Sequence, residues 1–386
     1  MTPLATLSIN VAGITAFYFP PIEGLLSSSA NVITQERLYD TAIVFLIITA
    51  LLVCATYIYL YLNKKAFFYK QRIRKQLDIW ISKAILEELG EGNQEISIPS
   101  KFKRIVHHPI ARQFVIDELV ATKKGLTGAA ASNIVQLYLQ LDLRDGSIKK
   151  MDHKKWYVRA RGIQELYVME QSDMLLRIYR QTNSKNEFVR MEAQTGIVHL
   201  SGFKGLRFLD IVVYPITEWQ QLKLLDQLSQ VPFVQMKSLG KWLLSANPSV
   251  VLFALRIVET YQQFQVHDGV AACLHHELEP VRMQAVRTLA SIAGDETADM
   301  LLEAFAKEKF TVKLCILDHL AVIATPLLLN PLYQLLDFPN DLIKLKAAKA
   351  LASCSPEGME ALQKKAAMQP EPYQQIFLHV QSEIKA

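Results

Sequence analysis

From Trp156 onward, apolar positions recur at two spacings. Within short stretches they fall at i, i+4 and i+8, which is one face of an α-helix. Between stretches the same skeleton returns about every 31 residues: an aliphatic, usually a basic residue after it, a small residue four on, and an aliphatic eight on. The lead aliphatics are Val158, Val189, Val250, Val281, Val312 and Ile343, with one gap of double length. The small positions hold Gly162, Ala193, Ala254, Ala285 and Ala347, with Ile316 the exception, and Leu166, Ile197, Val258, Leu289, Leu320 and Leu351 close the motif. A fixed period of this size marks a helical-repeat array. The phase predicts seven marker helices, near 156–169, 187–200, 218–230, 248–260, 279–293, 309–323 and 341–353. Second apolar stripes lie between them, as at Met174, Leu175 and Ile178 or Met300, Leu301, Ala304 and Phe305. The third unit is degenerate: Gln220 replaces the lead aliphatic, while Leu224 and Leu228 keep their places.

The N-terminal part has a different pattern. Ala42 to Leu62 is a run of 21 residues without a charge, enough for a helix of about 30 Å, the thickness of a bilayer's hydrocarbon core. Tyr57, Tyr59 and Tyr61 gather at one end, and Lys64, Lys65, Lys70, Arg72, Arg74 and Lys75 follow with no acid among them. The excess of basic residues on that flank predicts a single membrane span with the chain beyond Leu62 in the cytoplasm, at the cell inner (plasma) membrane. The same six residues are candidate contacts for anionic lipid headgroups; as a topology signal alone they need no such contact. Residues 1–35 are open to three readings, as an extracytoplasmic or interfacial tail, a signal segment ending near Ser28-Ser29-Ala30, or the first arm of a membrane hairpin.

Between span and array the period is missing. Leu77, Trp80, Ile81, Ala84, Ile85 and Leu89 form a helical stripe that Gly90-Glu91-Gly92-Asn93 should stop. Pro109 suits the first turn of a second helix, striped by Ala111, Phe114, Val115 and Leu119. Thr127-Gly128 opens a third, expected to end before Asp145-Gly146. The organisation is therefore a tail (1–41), a transmembrane helix (42–62), a basic amphipathic helix (63–89), a helical adaptor or cap (90–155) and repeats with a C-terminal cap (156–386).

Charge narrows the partner class. The formal charge of +5 is concentrated at residues 1–75, which are net +4; the remainder carries 35 basic against 34 acidic residues. An array this neutral lacks the basic surface that nucleic acid requires. The four cysteines, Cys54, Cys273, Cys315 and Cys354, show no paired spacing, and His107-His108 has no third ligand nearby, so no metal site is expected. Phosphate-binding, dinucleotide, nucleophile-elbow and zincin motifs are missing too, and no cofactor or catalytic residue is assigned. Asp318-His319 and His275-His276-Glu277 are the compact acid–histidine groupings, and each sits within or at the end of a repeat helix.

The segments Asn186–Ile197, Glu279–Leu289 and Asp341–Leu351 resemble short HEAT repeats of the kind found in phycobilisome-lyase-like proteins. The likeness covers 156–386, and anchor, adaptor and repeats together resemble membrane-anchored bacterial HEAT proteins. The resemblance implies an all-α chain: one N-terminal transmembrane helix, then a right-handed α-α superhelical solenoid of HEAT/ARM type whose marker helices line a concave face. It also implies that the basic residues after the lead aliphatics (Arg159, Arg190, Arg282, Lys313, Lys344) tie neighbouring units together.

Surface that carries identity should differ from unit to unit. Three and six residues past the lead position, Arg161, Gln164, Glu192, Arg256, Gln284, Arg287, Asp318, Lys346 and Lys349 are the candidate partner-binding face. Arg256, Arg287, Lys346 and Lys349 form a basic cluster suited to an acidic patch. The expectation is a non-enzymatic scaffold or adaptor that holds a protein partner, such as a component of a cell-envelope or polysaccharide-synthesis machine. The alternative is an enzyme or enzyme subunit of the lyase-like HEAT type acting near the membrane.

Overall fold

The computed structural model describes residues 35–86, 98–232, 236, 238–323 and 325–385. The readings of residues 1–34 and the helix stop at Leu89 and Gly90–Asn93 lie outside them. The chain divides into two compact units between Ile79 and Trp80. Helix α1 (Gln35–Leu86) begins in the first and ends in the second, and runs unbroken through both the apolar stretch and the basic block. It is long and apolar enough to cross a membrane, and none of its most apolar window is buried. Two threonine hydroxyls there bond to the helix's own carbonyls. The Thr49 hydroxyl donates to the Phe45 carbonyl at 2.8 Å, and Thr56 to Val53 at 2.8 Å.

The second unit is all helix among its described residues. Trp80, Ile81 and Ala84, at the end of α1, are buried in it. The Trp80 and Phe102 rings lie 4.2 Å apart, and the Asn133 amide donates to the Ala84 carbonyl at 2.8 Å. The adaptor comprises α2 (Ser100–Val106), α3 (Pro109–Lys124), α4 (Gly128–Gln140) and α5 (Arg144–Met151). Pro109 starts α3, as its missing N–H and fixed φ favour. Asp145-Gly146, expected as a break, instead lies in the first turn of α5. The chain turns earlier, at Asp142, which takes a φ of 53°. Although α3 lacks the 31-residue skeleton, it packs on the first marker helix.

The marker helices are α6 (Trp156–Val168), α8 (Glu187–Ser201), α9 (Glu218–Ser229), α11 (Pro248–Tyr261), α13 (Glu279–Ser291), α15 (Phe310–Ile323) and α17 (Asp341–Cys354). Several begin at a side-chain cap three residues before the lead position: Asn186 accepts from the Val189 N–H, Thr217 from Gln220, and Asn340 from Ile343. The second elements are shorter. They are α7 (Leu175–Tyr179), the 3-10 segment Gly202–Asp210, α10 (Leu239–Leu243), α12 (His267–Ala272), α14 (Thr297–Lys307), α16 (Leu329–Leu335) and α18 (Pro356–Met368). A last helix, α19 (Pro370–Lys385), closes the end against α17 and α18.

The skeleton is the core. Val189, Val250, Val281 and Val312, Ala193, Ala254, Ala285 and Ala347, and Leu166, Val258, Leu289, Leu320 and Leu351 are all fully buried. At the small position of α6, a Cβ on Gly162 would stand 2.4 Å from the Met151 nitrogen, so only glycine allows α5 to pack this closely. In the degenerate unit, Gln220 is as buried as an aliphatic, and its amide donates to the Met191 carbonyl at 3.1 Å.

The position after the lead aliphatic forms a row of struts between loops. Arg190 donates to the Ser184 carbonyl at 2.7 Å and lies 4.3 Å from the centre of the Tyr214 ring in the next loop. Arg282 donates to the His276 and Glu277 carbonyls at 2.9 and 3.0 Å and grips Glu308 of the next loop at 2.6 Å. The Lys313 ammonium lies between the Phe305 and Phe338 rings, 5.3 and 5.4 Å from their centres. In the degenerate unit Gln221 takes the same place, bonded to the Ile216 carbonyl at 3.1 Å and to that of Ser249 at 3.3 Å. Arg159 and Lys344 depart from the expected ladder. Arg159 reaches the His153 carbonyl of its own loop at 3.1 Å, and Lys344 bonds Asp341 in its own helix at 2.8 Å.

Candidate partner-binding surface

Helical geometry sorts the candidate residues. At about 100° per residue, position +6 points away from the lead-aliphatic face, whereas +3 flanks it and looks toward the neighbouring marker helix. Gln284, Glu192 and Arg287 follow this rule, whereas Thr195 at +6 is buried and Arg161 at +3 is half exposed. Gln284, expected to face outward, is 5% exposed and donates to Glu259 of the preceding marker helix at 2.6 Å. Glu192 also bridges units, accepting from the Tyr167 hydroxyl at 2.9 Å and from Lys223 at 3.2 Å. Desolvation by burial raises the Tyr167 pKa well above the usual phenol value, with Glu192 adding to the rise.

The basic cluster is largely neutralised within the chain. Arg256 pairs with Glu218 at 2.9 Å, Lys349 with Glu383 at 2.8 Å, and Lys346 with Asp318 of the preceding unit. Arg287 is exposed and lies against Cys315. The expectation of a free cationic patch is therefore corrected: most of its charge is spent on acids from neighbouring helices. Arg161 likewise pairs with Asp117 of α3.

Behind Arg161 lies a buried polar network joining adaptor to array. Glu165 is 2% exposed and receives the Ser147 hydroxyl at 2.6 Å, the Gln113 amide at 2.9 Å and the Lys150 ammonium. Tyr138 donates to Ser147 at 3.0 Å. Burial lowers the Lys150 pKa even though Glu165 opposes the shift. Every member is bonded, which is the condition under which a buried network specifies one packing.

Gln164 does line an opening. It borders a groove of about 450 Å³ where the end of α3 meets α6, α8 and α9, together with Lys123, Tyr167, His199, Lys223 and Asp226. His199 Nδ1 lies 2.9 Å from the Gln227 amide oxygen, and Lys123 pairs with Glu170 at 2.6 Å. The sequence skeleton misses most of this lining. Lys123 precedes the periodic region, and Tyr167 and His199 lie past the closing aliphatic. On α1, Lys64, Lys65, Lys70, Arg72, Arg74 and Lys75 are all exposed. The described residues contain no group of three His, Cys, Asp or Glu placed to hold a metal ion. Cys273, Cys315 and Cys354 are buried free thiols.

No protein-family model matches the chain, and no curated protein matches its sequence. Among solved structures it is similar to an engineered protein, with 15% identity, a TM-score of 0.36, and coverage of 81% of this chain and 96% of that one. It is also similar to Kap121p, with 13% identity, a TM-score of 0.35, and coverage of 80% of this chain but only 37% of that one. The complex of CpcE and CpcF of phycocyanin lyase from Nostoc sp. PCC7120 matches with 13% identity and a TM-score of 0.25 over 72% of this chain and 97% of that one. In its own elements, the chain is an array of repeated helix pairs that follows one long apolar helix.

Proposed function

We propose that the chain is a membrane-anchored scaffold or adaptor without catalytic activity of its own. Its solenoid faces the cytoplasm and holds a partner protein, such as a component of a cell-envelope or polysaccharide-synthesis machine, at the inner membrane. The observation that carries this reading is the layer of marker helices. Their buried skeleton repeats while their outward residues change chemistry at each unit, which suits an extended protein-binding surface. The anchor is supported by the exposed apolar run of α1, whose threonine hydroxyls are satisfied by the helix's own carbonyls, as hydrocarbon requires. An exposed apolar surface of that length is otherwise an aggregation liability. Anchoring raises the effective concentration of the solenoid near other membrane components.

The test is in-membrane crosslinking and purification of the full chain beside a version lacking 156–386, after carbonate extraction. The expected result is an integral membrane protein with a partner that depends on the repeats. A carbonate-soluble protein, or a partner set unchanged by the deletion, overturns the reading.

A second reading, an enzyme or enzyme subunit, rests on the groove, where His199, Asp226, Lys223 and Tyr167 from three consecutive units converge. His199→Ala separates the two: it should leave scaffold function intact and abolish function if the groove is catalytic.

A further inference from the structure

The residue just before the lead position is aromatic in the first three units, Tyr157, Phe188 and Trp219, and is Ser249, Pro280, Thr311 and Leu342 in the rest. Each of the three aromatics stands at the N-terminal start of its marker helix and points out, with exposures of 52%, 54% and 70%. Trp156 fills the space between the first two, stacked on Phe188 with centroids 4.9 Å apart and planes 22° apart. A core role is excluded by the exposure, and at Phe188 and Trp219 a helix-starting role is already filled by the polar caps Asn186 and Thr217. What remains is a row of large rigid side chains of the types that dominate binding hot spots.

The charge around the row identifies its occupant. Lys154 and Lys185 are 31 residues apart, hold the same place in successive loops, and make no ion pair among the described residues. The row's N-terminal end is thus cationic and uncompensated, unlike the basic cluster on the marker face. Beside the second rung stands the exposed Glu187, and beside the third Glu218, which pairs with Arg256. Glu187 between the rungs opposes an anionic membrane surface but is compatible with a single peptide strand whose charge changes along its length. Marker helices packed about 8–10 Å apart give three rungs a span of about 20 Å, the length of roughly six extended residues.

We infer that this row is the docking site for an extended segment of a partner protein. The segment presents apolar side chains at alternate positions to Tyr157, Phe188 and Trp219, and acidic side chains to Lys154 and Lys185. The inference rests on the scaffold reading and says which edge of the solenoid carries it.

The full chain, solubilised in detergent, is screened against an array of random octapeptides. The expected enrichment is for Asp or Glu together with apolar residues at alternating positions. Tyr157→Ala, Phe188→Ala and Trp219→Ala should each weaken binding of an enriched peptide about tenfold or more, and Lys154→Glu with Lys185→Glu should do the same. Leu327→Ala, more exposed still but distant in sequence from the row, should have no effect. All are exposed positions, and circular dichroism checks that the helices remain. The inference is overturned if nothing is enriched, if basic peptides are enriched, or if binding survives the aromatic substitutions. It is also overturned if those substitutions abolish binding to anionic-lipid vesicles and leave peptide binding intact. A partner that depends on 156–386 but tolerates all three substitutions overturns the docking row alone; a partner indifferent to 156–386 overturns the scaffold reading as well.

Discussion

Gly162→Ala tests the claim that small residues at the fourth position set the spacing between elements. An alanine Cβ there would lie 2.4 Å from the Met151 nitrogen, 2.8 Å from the Lys150 carbonyl carbon and 2.8 Å from the Lys150 Cβ. Ordinary contact is about 3.5–4.0 Å, so α5 must move by about 1 Å. Two of the obstructing atoms are backbone, which no rotamer change can relieve. Overpacking of this kind costs about 3 kcal/mol at the upper end of its range, and removing a helical glycine returns about 1 kcal/mol. The expected net loss is about 2 kcal/mol, concentrated at the α5–α6 contact because Lys150 and Glu165 meet in the same interface. Amide hydrogen exchange reads such a local loss directly: α5 and α6 amides should exchange about 30-fold faster in the variant. Gly240→Ala is the control. It also lies within a helix, its added Cβ meets nothing within 4 Å, and it should gain up to about 1 kcal/mol. Unchanged or slower exchange of α6 in Gly162→Ala would refute the spacing argument.

The struts, a buried thiol and the surface pairs give three further outcomes. Arg282→Ala leaves Glu308, whose side chain is 12% exposed, without its guanidinium and strands two loop carbonyls; it should cost about 3 kcal/mol by denaturant midpoint, with Arg282→Lys recovering only part because it lacks the planar fork. Burial pushes the Cys273 thiol up to about 11 from its ordinary 9.0. The folded chain therefore keeps a proton that the unfolded chain releases, and stability present below pH 9 falls by up to about 3 kcal/mol as pH rises toward 11. Melts of Cys273→Ala should lack that part of the alkaline slope, and an identical slope would refute it. A double-mutant cycle on Asp318 and Lys346, whose side chains are 45% and 27% exposed, should give a coupling below about 1 kcal/mol; a larger value would mean that the surface pairs, rather than the apolar skeleton, set the stacking.

The features legible in the sequence are those written in local spacing. The seven marker helices start where the lead aliphatics place them, four of them at a side-chain cap, because cap chemistry and i, i+4, i+8 burial are properties of short segments. Second elements as short as Leu175–Tyr179 show an apolar stripe at Met174, Leu175 and Ile178 but have too few turns for it to mark their ends. The place of α3 in the marker layer is invisible without Gln113 and Arg161–Asp117, contacts made across dozens of residues. Gln284 was misassigned for a related reason. A polar residue off the apolar stripe of one helix looks solvated until the neighbouring helix arrives with Glu259 to bond it. The same logic limits how much of the periodic surface can recognise a partner. Positions +1 and +3 are mostly consumed by bonds between units, and the cations at +6 mostly meet acids of the chain itself. A binding surface must lie where the period is kept and the side chains stay open to solvent. Tyr157, Phe188 and Trp219 satisfy both conditions: they recur in phase through three units, remain half or more exposed even where Trp156 meets the first two rings, and are not retained once the fourth unit begins.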